Sequence, residues 1–159
     1  MTSRFSKLGM VVALCTAGVV TALPASATDT KNLNVTASVA GVCKFKSGAA
    51  DTLAFPALDP SVGTNVNASQ NVLYWCTKGV TGATVAMGNG LNFAGGKRQM
   101  KDTVSGDVIP YTLTVAQSGT PGGPTVDLTA AITGQVLGTD YTAKSAGSYS
   151  DTVVLTLNP

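Results

Sequence analysis

The chain has 159 residues, a formal charge of +2, no histidine and only 11% charged residues. Without histidine neither a Ser-His-Asp nor a Cys-His site can be built, and the commonest zinc ligand is absent. Arg4 and Lys7 carry the whole charge excess, so the remainder is balanced between Lys+Arg and Asp and offers no net attraction for nucleic acid or an anionic membrane.

Taken in order, the chain begins with the three-part pattern of a secretory signal. Arg4 and Lys7 form a positive start, Leu8 to Leu23 is almost uncharged and largely apolar, and Pro24-Ala25-Ser26-Ala27 supplies a helix breaker and a small-x-small cleavage pattern. A cut after Ala27 leaves Thr28 as the mature N-terminus. The apolar run is shorter than the roughly 20 residues of a membrane span, so no stable membrane insertion is expected. A lipoprotein signal would need a small residue before Cys15, and Leu14 stands there.

The expected organisation is therefore a signal over 1–27 and one domain over 28–159. Its wet positions carry Thr, Ser, Asn and Gly rather than Glu, Lys and Arg, which favours strands and turns over helices. Leu33, Val35, Ala37 and Val39 alternate with Asn34, Thr36 and Ser38, the period of a strand. Leu53-Ala54-Phe55 is a brief strand stopped by Pro56, and Val72 to Cys76 reads as a buried strand holding the single tryptophan, Trp75. Trp75 beside Cys76 suggests an aromatic packed on a disulfide.

Ala83 to Met87 follows and ends at the turn Gly88-Asn89-Gly90; Gly95-Gly96 marks another turn before Lys97 to Met100. Tyr111, Leu113 and Val115 alternate, and 119–124 is a loop. Val126, Leu128 and Ala130 continue the pattern, Ile132 to Leu137 extends it with a break expected at Gly134, and Tyr149 to Leu157 closes the chain. Seven or eight short strands with frequent turns predict an all-β sandwich.

Cys43 and Cys76 remain after cleavage, and an even pair in an exported protein is read as a disulfide. A metal site lacks further ligands. The carboxylates are all Asp, at 29, 51, 59, 102, 107, 127, 140 and 151, mostly beside Gly, Pro, Thr or Ser, a context that favours turn capping over acid–base pairs. Lys97, Arg98 and Lys101 read as a solvated hairpin, not a nucleic-acid surface. No catalytic residue, metal or cofactor is expected.

The order and spacing of several segments resemble the spore coat protein U family, which includes the archaic chaperone–usher pilins of Gram-negative bacteria. These are Leu33 to Val39 before Cys43, Leu53-Ala54-Phe55, Cys76-Thr77-Lys78-Gly79, Gly88-Asn89-Gly90 followed by Arg98-Gln99-Met100, Ile109-Pro110-Tyr111, and Gly147 to Leu157. The stretch from Gln117 to Lys144 and the ending Asn158-Pro159 depart from the pattern.

The resemblance implies an incomplete immunoglobulin-like β-sandwich lacking its last strand. It implies a donor segment over 28–41 that inserts Leu33, Val35, Ala37 and Val39 into a neighbour, and an acceptor groove to which Val153, Leu155 and Leu157 would contribute. The implied partners are neighbouring pilin subunits, a periplasmic chaperone and an outer-membrane usher, with export through the periplasm to a surface fimbrium. Burying Leu33, Val35 and Val39 would contribute on the order of 5–9 kcal/mol before ordering costs. Two alternatives stay open at this point. Leu33 to Val39 can instead be the first strand of its own domain, and the protein can be a secreted coat or adhesive module that works as a folded monomer.

Overall fold

The computed structural model describes residues 27–159, and the body of the expected signal, residues 1–26, lies outside them. The chain divides into two units, Met1–Ala37 and Ser38–Pro159. Of the first, residues 27–37 are described; they carry neither strand nor helix and are exposed throughout.

The second unit contains β1 (Cys43–Phe45), β2 (Val66–Cys76), β3 (Thr84–Met87), β4 (Arg98–Asp102), β5 (Val108–Ser118), β6 (Leu128–Val136), a one-turn helix α1 (Gly138–Tyr141), β7 (Tyr149–Ser150) and β8 (Leu155–Asn158). One antiparallel sheet has the order β1-β2-β6-β5-β4-β7, and a second consists of β3 and β8. Reading β1, β2, β6 and β5 as strands A, B, E and D, and β3 and β8 as C and F, recovers the two sheets of an immunoglobulin-like sandwich. The fold is this all-β sandwich, and among the described residues no strand stands in the place of G.

Period-two alternation dictates the two long central strands. In β6, Leu128, Ala130, Ile132, Gly134 and Val136 are buried while their neighbours face outward. Its partner β2 meets it in unbroken register from Val66↔Val136 to Tyr74↔Leu128. The outward positions of β2 begin with Asn67, Ser69 and Asn71, so the strand starts earlier than its apolar stretch suggests.

The expected break at Gly134 does not occur; Gly134 pairs with both Ala68 and Leu113. A Cβ there would lie 2.8 Å from the Phe55 ring and 3.1 Å from Leu53, so the missing side chain makes room for both. The aromatic expected on the disulfide is also corrected. Trp75 is half-buried opposite Lys44 on the outer face, and Tyr74 packs in the core cluster with Cys76.

The apolar interior falls into two clusters. One gathers Val72, Tyr74, Cys76, Val85, Leu128, Ala130 and Ile132; the other gathers Ile109, Tyr111, Val136 and Tyr141. Leu113 packs against both.

Candidate functional site

A groove of about 870 Å³ runs along the second unit and links the two clusters. Its floor is made by Val72, Met100, Ile109, Tyr111, Leu113, Ile132 and Tyr141. One lip is the extended segment from Asp51 to Leu58, in which Leu53, Phe55 and Leu58 are half-buried. Leu53 packs on the first cluster, and Phe55 and Leu58 pack on the second. The sequence reading makes Leu53-Ala54-Phe55 a strand. These residues instead belong to no ladder, and Phe55 meets Tyr111 edge to face with ring centroids 6.5 Å apart.

The other lip comes from the closing segment, which is interrupted and not one strand from Tyr149 to Leu157. β7 pairs with β4 through Lys101↔Ser150 and Asp102↔Tyr149, and β8 pairs with β3 from Met87↔Leu155 to Thr84↔Asn158. Between them Asp151 leaves the ladder to serve a distant loop. Its Oδ1 accepts from the Leu91 and Asn92 amides at 2.9 and 3.1 Å, and its Oδ2 accepts from the Tyr111 hydroxyl at 2.6 Å. Burial and this carboxylate push the Tyr111 phenol well above its ordinary pKa, with Arg98 opposing. Tyr111 is therefore a neutral donor fixed in the groove floor.

The Gly-x-Gly…Arg-x-Met stretch acquires a structural reason here. Arg98 Nε donates to the Gly88 carbonyl at 2.8 Å and Nη2 to that of Met87 at 3.1 Å, so it is a clamp rather than a solvated charge. Gly90 has φ +87° and presses against the Asp151 carboxylate, where any side chain would collide. Lys97 closes a bridge with Ala94.

Of the acceptor candidates, Val153 and Leu155 line the groove and Leu157 does not; Leu155 and Leu157 both lie on β8 and pack on the first cluster. Leu33, Val35 and Val39 are 85%, 85% and 86% exposed, and Ala37 is exposed as well. They are not the first strand of their own sheet; that place belongs to β1, whose Cys43 faces Cys76 and is bonded to it. The groove-floor residues Met100, Ile109 and Tyr141 were missed by sequence reasoning. They come from three separate segments, and only the fold brings them together.

Two of the acidic side chains, Asp59 and Asp102, cap turns. Asp59 accepts from the Ser61 amide and hydroxyl, and Asp102, 3% exposed, accepts from the amide and hydroxyl of Ser105 at 2.8 and 2.6 Å. The serine hydroxyl holds each carboxyl below its usual range. Among the described residues no cluster of three His, Cys, Asp or Glu side chains is placed to hold a metal.

The described residues offer an apolar slot beside a free strand edge. β8 is hydrogen-bonded to β3 on one side, and among the described residues no strand pairs with its other side. Such an edge presents unpaired N–H and C=O groups to any extended chain of suitable pattern.

Comparison with known proteins agrees with the motif resemblance. The chain is 33% identical over 154 residues to Protein U of Myxococcus xanthus, covering 83% of this chain and 86% of that protein. It is similar, at 20% identity and a TM-score of 0.48, to a chain in the crystal structure of the CsuC–CsuE chaperone–tip adhesion subunit pre-assembly complex from archaic chaperone–usher Csu pili of Acinetobacter baumannii. That likeness covers 75% of this chain and 40% of the other, so less than half of the solved chain is represented. Residues 29–156 match the Spore Coat Protein U domain, and the chain belongs to that family.

Proposed function

We propose that the protein is a structural pilin subunit that polymerises by strand donation. Leu33 to Val39 of one copy enters the groove of the next, building a surface fibre for adhesion and biofilm formation. The observation that carries this reading is the pairing of two unsatisfied features within one chain. An alternating apolar segment is almost wholly exposed, and a groove of about 870 Å³ lies beside an unpaired strand edge.

Seven extended residues span roughly 23 Å. Backbone hydrogen bonds to β8 would set the register, while alternate side chains would fill the groove and join the two clusters into one core. Contact of this kind is head-to-tail and does not close on itself, so it yields a filament. The role is structural and not catalytic.

In this reading the signal is cut after Ala27, and the freed segment from Thr28 is the polymerising end. A periplasmic chaperone shields the groove during export, and an outer-membrane usher exchanges subunits onto the fibre. Electron microscopy of sheared cell surfaces tests the proposal. Deleting Thr28 to Val39 should leave folded subunits and abolish fibres; normal fibres from that variant would sink the idea. A native chain that purifies without any chaperone as a stable, groove-open monomer would favour the coat-protein alternative.

A further inference from the structure

The chain enters the sandwich at Ala40–Val42, and one side chain holds that entry. Thr77 Oγ1 accepts from the Val42 amide at 3.1 Å. The hydroxyl stands 3.2 Å from the Ala40 carbonyl and 3.3 Å from that of Val42, so its single proton serves either. The Thr77 amide donates to the Val42 carbonyl at 2.8 Å, extending the ladder one step past the end of β1. Gly41 lies between these bonds, close enough to Val80 that a Cβ would stand 3.3 Å from its methyl group. Directly below, the Cys43–Cys76 disulfide locks the first pair of β1 and β2.

β1 is only three residues long, and the terminal stretch leading into so short a strand would ordinarily fray. Here the backbone is held as far back as Ala40, the residue that follows the exposed Val39. Without the hydroxyl, the disulfide and the Thr77 amide would still secure Cys43 and the Val42 carbonyl, but the Val42 amide and the Ala40 carbonyl would be unheld. The additional anchorage therefore comes from Thr77, and it bears on the root of the segment that contains Leu33 to Val39.

We propose that Thr77 is a positioning residue that sets the direction in which this segment is delivered to a second copy of the chain. The inference rests on the pilin reading. A donor with a fixed root searches fewer orientations before meeting its groove and loses less freedom on docking. Its hydroxyl acts on the attached donor only, since Thr77 does not line the groove.

The test compares Thr77→Val, which keeps the shape and removes the hydroxyl, with Thr77→Ser, which restores it. A fluorescent peptide of residues 28–39 titrated with full-length chain reads the groove, while self-assembly of the same chain reads the attached donor. Thr77→Val should bind the peptide like wild type yet assemble about threefold to tenfold more slowly, the worth of one hydrogen bond. Its fibres should show a wider spread of subunit angles by electron microscopy, and Thr77→Ser should recover rate and geometry. Wild-type assembly and geometry in Thr77→Val overturn the inference, as does a parallel loss of peptide binding, which marks a general structural role. A wild-type chain that does not bind the peptide at all brings down the pilin reading, and this inference with it.

Discussion

Val35 and Val136 sit in two segments with nearly the same pattern. Leu33 to Val39 and Leu128 to Val136 both place small or branched apolar residues at alternate positions, with Asn, Thr, Ser or Gln between except at Ala131. Yet Val35 is 85% exposed and Val136 is fully buried. β6 lies between β2 and β5 with ladders on both sides, whereas residues 33–39 have none. Alternation thus encodes the capacity to be a strand with one apolar face. Which partner covers that face is decided by where chain connectivity delivers the segment, and for 33–39 the proposed partner is another molecule.

The same substitution in the two valines breaks this comparison most sharply. Val136→Asp puts a carboxylate into a closed apolar cluster and should unfold the domain, costing several kcal/mol, as thermal melting by circular dichroism would record. Val35→Asp should leave the melting of the subunit unchanged and reduce assembly on the order of 100-fold or more, read by light scattering. Unimpaired assembly of Val35→Asp would remove the distinction drawn between them.

Reducing the disulfide comes next. Cys43–Cys76 closes a loop with a sequence separation of 33, worth roughly 3–4 kcal/mol in the chain-entropy model. That loop contains the lip from Asp51 to Leu58, so its reduction should loosen the groove together with the domain. A lowered denaturant midpoint in dithiothreitol, matched by Cys43→Ser with Cys76→Ser, is the expected result.

Gly134→Ala is milder and more local. The new methyl would press on Phe55 and Leu53, and these side chains can swing outward, so the cost should be about 1 kcal/mol. Their displacement narrows the slot, and peptide 28–39 should bind more weakly than this small loss of stability would suggest. Equal binding would show that the lip is not what shapes the site.

What the sequence revealed and what it hid follow from the range of the interactions. Alternation within Leu128–Ala130 or Tyr111–Val115 is local and half-buried, so those strands were legible. Gly134 reads as a break in sequence because its value is spatial: it makes room for Phe55, about eighty residues away in the chain. Tyr149 to Leu157 looked continuous because nothing nearby shows that Asp151 bonds to Tyr111 and to the loop at 91–92. Val153, Leu155 and Leu157 share one phase of the closing segment, yet only Val153 and Leu155 line the slot, a difference that alternation alone does not carry. Trp75 cannot share the disulfide's face, since a buried Cys76 on one face of β2 turns its neighbour to the other.

Titration separates the two regions most finely, because residues 33–39 carry no ionisable side chain while the sandwich depends on several. Asp59, Asp102 and Asp107 are all held below their ordinary pKa by hydrogen bonds, chiefly from Ser61, Ser105 and Ser145. The folded domain therefore binds protons less readily than the unfolded chain. The stability these groups contribute is complete above about pH 4, the unfolded carboxyl value, and is lost as pH falls through their lower folded values. Tyr111 acts at the other extreme: its raised pKa means the folded state keeps a proton that the unfolded chain releases, so stability should decline above about pH 10. The denaturant midpoint should be flat between those limits, and Asp102→Asn should flatten the acid limb. Across the flat range the affinity of peptide 28–39 should be unchanged as well, since its apolar positions meet a floor in which the Tyr111 phenol stays neutral; a strong pH dependence there would mean that a charge, and not the apolar slot, holds the donor.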